Sequence, residues 1–263
     1  MLRIASWNIN SVRLRIDMVC RFLAEAQPEI LCLQEIKCRT GEFPAKAFKA
    51  AGYKHLHVVG QKGWHGVAIV SKRKLEPVEA PALCSKNEAR IAAVKIDGVE
   101  LHNLYVPAGA DVPDPIVNPK FAHKLSFLDV MREAYAKRVR TPLILVGDLN
   151  VAPGEHDVWS HKQLLKVVSH TPGETARLDA VLKDGGFVDL ARLHRPAPEK
   201  VFTWWSYRSP DWTKNNRGRR LDHIWASTDL ASASRAEAFH IHVPCRSWER
   251  PSDHVPLVAG FAV

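Results

Sequence analysis

Five strand-like segments of this chain carry carboxylates, amides or a histidine at one end, and two of them are short apolar runs of the kind that forms a strand buried on both faces. The run from Leu2 to Trp7 leads into Asn8 and Asn10. Ile30-Leu31-Cys32-Leu33 leads into Gln34-Glu35, with Lys37 just beyond, and Leu143-Ile144-Leu145-Val146 leads into Gly147-Asp148-Leu149-Asn150. Asp222 follows Arg219-Arg220 on a fourth segment, and Ser252-Asp253-His254 precedes the last. Four consecutive apolar residues bounded by polar ones fit a strand buried on both faces, because a helix needs roughly ten residues or more to show its stripe. Sheets of such strands must be covered on both sides, and their ends are where α/β proteins place chemistry.

The rest of the pattern agrees. Leu2, Ile4 and Ser6 alternate with Arg3, Ala5 and Trp7, which predicts a strand over 2–7. Leu14, Met18, Val19, Phe22, Leu23 and Ala26 make a helical stripe over 13–26, closed by Pro28. Strands are predicted at 53–58, 64–71, 89–96 and 99–106, with Asp97-Gly98 as a hairpin turn between the last two. Four prolines make 107–119 an irregular loop. A long helix is expected at 119–139, with Phe121, Leu125, Leu128, Met131, Arg132 and Tyr135 near helical spacing, and another at 174–184, stopped by Gly185-Gly186. Strands near 201–205, 220–226, 236–242 and 255–262 complete the chain. Without an internal repeat or a long linker, residues 1–263 read as one α/β domain, two packed mixed sheets with helices outside.

The net charge is +9, from 37 Lys+Arg against 28 Asp+Glu. A surplus of this size fits an anionic partner such as nucleic acid, or plain colloidal solubility. The five cysteines are odd in number and form no C-x-x-C pair, which argues against a disulfide framework or a structural zinc site and for a reducing, cytoplasmic location. No apolar run approaches the roughly 20 residues that span a bilayer, so no membrane partner is expected. His55 with His57 and His240 with His242 read as strand-surface histidines, since no third ligand suggests itself.

If the polar strand ends converge, they make a site of oxygen ligands suited to Mg²⁺ or Mn²⁺, with a second carboxylate able to handle a water and a histidine able to donate to an anion. Asp222 is a better partner for His254 than its sequence neighbour Asp253. Singly, each of these residues fits a cap or a turn as well.

As an ordered set, the segments are more specific. Ser6-Trp7-Asn8-Ile9-Asn10, Leu33-Gln34-Glu35-Ile36-Lys37, Asn103-Leu104-Tyr105-Val106-Pro107, Gly147-Asp148-Leu149-Asn150-Val151-Ala152-Pro153, Arg220-Leu221-Asp222 and Pro251-Ser252-Asp253-His254 resemble the exodeoxyribonuclease III family of apurinic/apyrimidinic endonucleases, within the endonuclease/exonuclease/phosphatase superfamily. The resemblance implies a four-layer, DNase I-like α/β sandwich of two packed mixed sheets flanked by helices. It implies a monomeric DNA-repair enzyme that uses Mg²⁺ (or Mn²⁺) to hydrolyse the phosphodiester 5′ to abasic sites in double-stranded DNA, with 3′-end trimming and 3′–5′ exonuclease activity on blocked ends. Carried over by position, Glu35 is the main metal ligand, with Asn8 beside it and Asp253 near the metal. Asp148 activates the water, and Asn150 positions that water or the phosphate. His254, oriented by Asp222, contacts a non-bridging phosphate oxygen, and Tyr105 contacts the phosphate or the leaving oxygen.

Half of the eight tryptophans (Trp204, Trp205, Trp212 and Trp225) lie in 204–225, interleaved with Arg208, Lys214, Arg217, Arg219 and Arg220. Aromatic rings among cations suit a nucleic-acid surface, although Trp205 and Trp225 read as core. Trp204, in Phe202-Thr203-Trp204-Trp205, is similar to the family segment that receives the flipped-out abasic sugar. Lys62 and Trp64, in Gln61-Lys62-Gly63-Trp64-His65-Gly66, resemble a DNA-contact loop, and Arg90 stands where the family places a phosphate-binding arginine. The sequence departs from its relatives at Ala108, where an amide is common, and at Arg219, where some present a large apolar group to the abasic pocket. Other phosphohydrolases of the same sandwich share the Gly-Asp-x-Asn and Asp-His segments, but do not predict the Leu-Gln-Glu-x-Lys segment joined to a Trp-rich basic stretch. A non-catalytic relative would be expected to have lost one of Glu35, Asp148, Asn150, Asp222 or His254, and all five are present.

Overall fold

The computed structural model describes residues 1–138, 141–209 and 211–263. The first of two six-stranded sheets contains β1 (Leu2–Asn8), β2 (Ile30–Gln34), β3 (His55–Val59) and β4 (Val67–Ser71). It is completed from the far end of the chain by β11 (His240–Ile241) and β12 (Leu257–Phe261), in the order β11-β12-β1-β2-β4-β3. The second contains β5 (Glu76–Pro77), β6 (Ile91–Ile96), β7 (Val99–Tyr105), β8 (Leu143–Asp148), β9 (Phe187–Asp189) and β10 (Asp222–Ser227), in the order β5-β6-β7-β8-β10-β9. Both sheets are mixed: β1 runs parallel to β2 and β7 parallel to β8, and the other neighbours are antiparallel.

Strand alternation sorts the apolar residues into three layers of core. Leu2, Ile4, Ile30, Cys32, Val67 and Ile69 of the first sheet meet Val94, Ile96, Leu101, Ile144, Val146 and Ile224 of the second. The opposite faces are apolar as well. Ala5, Trp7, Leu31, Leu33 and Val70 pack under Val19, Phe22 and Leu23 of α1 (Ile16–Ala26) and Phe48 of α2 (Ala45–Ala50). Leu104, Leu143 and Leu145 pack under Phe127, Leu128 and Met131 of α3 (Pro119–Lys137), and under Leu178 and Val181 of α5 (Pro172–Asp184), which follows the short α4 (His161–Leu164). The result is the expected sandwich, with helices on the outer face of each sheet. Full burial of one such aliphatic side chain is worth about 1.5–3 kcal/mol.

Pairing register brings the polar ends together. Asn8 lies opposite Gln34 across β1–β2, and Asp148 lies opposite both Tyr105 of β7 and Asp222 of β10. Gly147 makes the last turn of β8 possible: its φ is +142°, and a Cβ there would sit 1.9 Å from the Leu104 carbonyl oxygen. Only glycine tolerates that approach.

Several boundaries differ from the sequence expectation. The segment 201–205 makes only isolated bridges, from Trp204 to Arg219 and to His254, because its backbone amides bond to the carbonyls of His156, Arg219 and Asp253 rather than to a neighbouring strand. Of 236–242, only His240–Ile241 is strand, and Ala236–Ala238 is a 3₁₀ turn. Strand β4 starts at Val67 because Gly66, at φ +101°, breaks the extended run. Helix α5 begins at Pro172, since Thr171 and Glu174 form a capping box around a proline at the first helical position. Helix α3 ends at Lys137, and residue 139 of the predicted span lies outside the described residues. Its buried face holds Lys124 and Phe127 where Leu125 and Arg132 were expected. The Asp97-Gly98 turn forms as predicted, with both residues at positive φ.

Candidate active site

The strand ends meet in a cleft of about 770 Å³ whose lining includes Glu35, Asp148, Asn150, Trp204, Asp253 and His254. Its centre is a line of three buried groups. Asp222 Oδ2 lies 2.8 Å from Nδ1 of His254, and His254 Nε2 lies 3.7 Å from Asp148 Oδ2. Thr203 Oγ1 donates to Asp222 Oδ2 at 2.6 Å and receives the Leu221 and Asp222 amides at 3.0 and 3.1 Å, fixing the carboxylate. Burial opposes a charge on His254, but Asp222 and then Asp148 outweigh it and lift the imidazole to about 10. Burial pushes Asp148 up to about 7, against the pull of His254 and with the help of Asp222. The imidazole is therefore a cationic donor at neutral pH, beside a carboxyl able to exchange a proton there.

A second group faces this line. Asn8 Nδ2 donates to both Glu35 Oε1 (3.0 Å) and Asp148 Oδ2 (2.9 Å), bridging the two sheets. Asn8 Oδ1 accepts from the Asn10 backbone amide, so its side chain is committed within the cluster. Tyr105 donates its hydroxyl to Glu35 Oε1 at 2.7 Å. Burial, then Glu35 and Asp148, keep that phenol well above its ordinary pKa and hence protonated. Lys37 Nζ joins Glu35 Oε2 (2.9 Å) to Asn10 Oδ1 (2.6 Å). Asp253 accepts from Asn10 Nδ2 and Trp204 Nε1, and these bonds with His254 hold it below the usual carboxylate value despite burial. Asn150 takes a proton-donor position toward Asp148 Oδ2 at 3.1 Å and toward the Val106 carbonyl at 2.9 Å. Glu35, Asn10, Lys37 and Asn150 all have φ near +50°, so the cluster concentrates backbone strain of the kind found at functional sites.

Hard oxygen donors dominate here, and the carboxylates of Glu35, Asp148, Asp222 and Asp253 exceed the cations Lys37 and His254. A divalent cation preferring oxygen fits that imbalance. Asp148, Asp222 and His254 each offer a ligand atom within 4.8 Å of the other two. His254 Nδ1 is already engaged by Asp222, so that set also works as a hydrogen-bonded triad.

The presumed DNA contacts divide. Trp204, Arg217 and Arg219 line the cleft, with Arg219 over the Trp204 ring (5.2 Å) and held by the Val168 carbonyl and Ser169 Oγ. Arg217 stacks over Trp159 at 4.7 Å. Lys62 and Trp64 project from their loop, the indole 74% exposed with Lys37 5.0 Å above it. Arg90 does not reach the cleft. It is buried, with Nε 2.6 Å from Glu88 and its guanidinium 4.9 Å over the Tyr105 ring. Trp205 and Trp225 are core, as expected.

Two supporting groups went unread in the sequence. Lys124 and Glu174 form a fully buried ion pair at 2.5 Å, from which Lys124 holds the Asn150 carbonyl at 2.7 Å and Glu174 holds the Ser169 amide. A lysine on the apolar stripe of α3 was the available signal. Arg220, also fully buried, binds Asp157 and Asp189 and so anchors the strand that presents Asp222. The sequence places it among the cations of a nucleic-acid surface, and its burial between two carboxylates corrects that reading.

With this geometry in view, the similarity to known proteins is specific. A model of the Endonuclease/Exonuclease/phosphatase family matches residues 5–254. The chain belongs to the endonuclease/exonuclease/phosphatase family. Among family relatives, it is 30% identical to Exodeoxyribonuclease III of Haemophilus influenzae over 99% of this chain and 100% of that protein. An AP endonuclease from Archaeoglobus fulgidus superposes with a TM-score of 0.92 at 34% identity, covering 100% of both chains. The 3′ phosphatase NExo from Neisseria, in a structure with a product DNA hairpin, superposes at 0.91 with 31% identity and the same coverage.

Proposed function

We propose that this protein is a DNA-repair nuclease that hydrolyses the phosphodiester bond 5′ to abasic sites in double-stranded DNA, with Mg²⁺ as its preferred ion, and also trims blocked 3′ ends. The observation that carries this reading is the Asp222–His254–Asp148 line set against Glu35, to which Tyr105 donates its hydroxyl, at one cleft. Glu35 and its neighbours would hold the cation, which neutralises charge on the phosphoryl and leaving oxygens. Asp148 takes the proton of the attacking water while Asn150 and Asn8 fix its carboxylate. His254 donates Nε2–H to a non-bridging oxygen, an interaction that strengthens as negative charge builds in the transition state. Tyr105, a protonated donor, serves the phosphate or the leaving oxygen. Trp204, with Trp159 and Leu221 nearby on the cleft wall, offers a surface for a sugar that has lost its base, and Arg217 and Arg219 offer cations for phosphates.

The test is a duplex oligonucleotide carrying one abasic analogue, incubated with Mg²⁺ or with EDTA. Incision 5′ to the lesion is expected with Mg²⁺ only, and Asp148→Asn should reduce it by orders of magnitude. Incision that survives chelation, or an unaffected Asp148→Asn enzyme, would overturn the mechanism. One observation favours 3′-end processing as the main activity: Arg219 places a cation at the pocket wall, which suits a terminal phosphate better than an uncharged sugar. Parallel assays on a 3′-phosphate duplex and an abasic duplex rank the two.

A further inference from the structure

Outside the cleft, a second set of metal-ligating side chains converges from the segment before β6 and from α3. Cys84 Sγ lies 3.5 Å from His123 Nε2 and 3.9 Å from Glu88 Oε2. One ligand atom from each of the three residues lies within 4.8 Å of the others. A tetrahedral Zn²⁺, with Zn–S about 2.3 Å and Zn–N about 2.0 Å, sets sulfur and nitrogen roughly 3.5 Å apart. The thiol and imidazole thus already stand at coordination spacing, on elements 39 residues apart in the chain. His65 Nε2 flanks the other oxygen of Glu88 at 3.6 Å.

We propose that Cys84, Glu88 and His123 form a binding site for a borderline-soft divalent cation of the Zn²⁺ class, separate from the hard-oxygen site at Glu35. A thiolate and an imidazole discriminate against Mg²⁺, which takes oxygen ligands and keeps its waters. On binding, the Cys84 S–H bond breaks, the sulfur–metal bond forms and the proton goes to solvent. Arg90 is the opposing charge, since its Nε holds Glu88 Oε2 at 2.6 Å. The thiolate compensates by adding a second negative group.

The shared carboxylate connects this site to the cleft. Arg90 also donates to the Tyr105 carbonyl at 3.1 Å and lies over its ring. A cation on Glu88 competes with Arg90 and disturbs the support beneath Tyr105, slowing incision. This coupling rests on the nuclease reading, whereas the binding site does not.

The experiment is a Co²⁺ titration of the full chain, followed by the thiolate-to-cobalt charge-transfer absorption. A 1:1 band is expected in wild type and in Glu35→Gln, absent in Cys84→Ser and at least tenfold weaker in affinity in His123→Ala. Zn²⁺ should abolish the band, and a large excess of Mg²⁺ should leave it. No band in wild type, or an unchanged band in Cys84→Ser, overturns the site. In the incision assay with Mg²⁺, micromolar Zn²⁺ should slow wild type several-fold more than Cys84→Ser. Equal sensitivity of the two overturns the coupling through Arg90, and a lack of incision in both overturns the nuclease reading without affecting the absorption result.

Discussion

Asp222 Oδ2 accepts from two sides, from His254 Nδ1 at 2.8 Å and from Thr203 Oγ1 at 2.6 Å, and so holds the imidazole in one orientation. Asp222→Asn removes the largest influence that raises the His254 pKa, so the imidazole should titrate at lower pH by NMR. Loss of a charged donor aimed at the transition state costs about 10²–10³-fold in kcat. The same loss is expected here with KM little changed. An unshifted His254 titration would show that Asp148 alone sustains its charge.

Lys124 and Glu174 give a stability prediction that also touches the site. Removing one partner of a buried pair leaves an uncompensated charge and typically costs about 3–5 kcal/mol. Lys124→Met and Glu174→Gln should each fall in that range by urea denaturation, and the double mutant should recover part of the loss. If the singles are neutral, the pair is not what holds the Asn150 and Ser169 loops.

Gly147→Ala should be among the most damaging small substitutions in the chain. Its Cβ collides with the Leu104 backbone and its φ excludes other residues, a combination placing it beyond about 4 kcal/mol. Soluble expression with a near-wild-type melting temperature would show that β7 and β8 can separate to admit a methyl group.

Stability against acid follows from buried histidines. Burial lowers His102 to about 4, with Arg138 adding to the effect, and lowers His223 to about 4, with Arg220 adding. A folded-state value below the unfolded one means that the unfolded chain takes up the proton first. Their contribution is complete above about pH 6.5 and is lost as pH falls toward 4. Asp157 acts lower. Burial raises it, but Arg220 and Arg192 outweigh that and hold it at about 2, so its contribution drains away between about pH 4 and 2. Denaturation midpoints across this range should fall in two stages, and His223→Gln should flatten the upper one.

Binding to DNA should weaken steeply with salt, because phosphate neutralisation releases counterions. Arg217→Ala should reduce the slope of log K against log salt by about one. An unchanged slope would take Arg217 out of the interface.

Much of the fold was legible because its strands are apolar on both faces. Ile30 to Leu33 and Leu143 to Val146 could only be central strands, and the residues that end them are those that meet in the cleft. The Asp222–His254 partnership was also readable, since adjacent residues on one strand cannot orient each other. Tertiary context decided what remained. Segment 201–205 looks like a strand, yet its backbone amides bond to His156, Arg219 and Asp253, none of which lies in a strand. Arg90 stands at a phosphate-binding position of the family pattern, but its guanidinium is buried over the Tyr105 ring, where Glu88 two residues before it balances its charge. Lys124 falls on the apolar stripe of α3, but what makes its burial tolerable is Glu174, fifty residues away, which the local pattern does not show.

The antiparallel pairing of Leu2–Ser6 with Leu257–Phe261 sets the first strand of the fold beside the last. Asn8 ends β1 and His254 stands just ahead of β12, so the amide and the imidazole are seated on the two sides of one seam. Any opening of that seam pulls them apart while leaving every other motif in place, which ties the lifetime of the assembled cluster to the integrity of a single ladder.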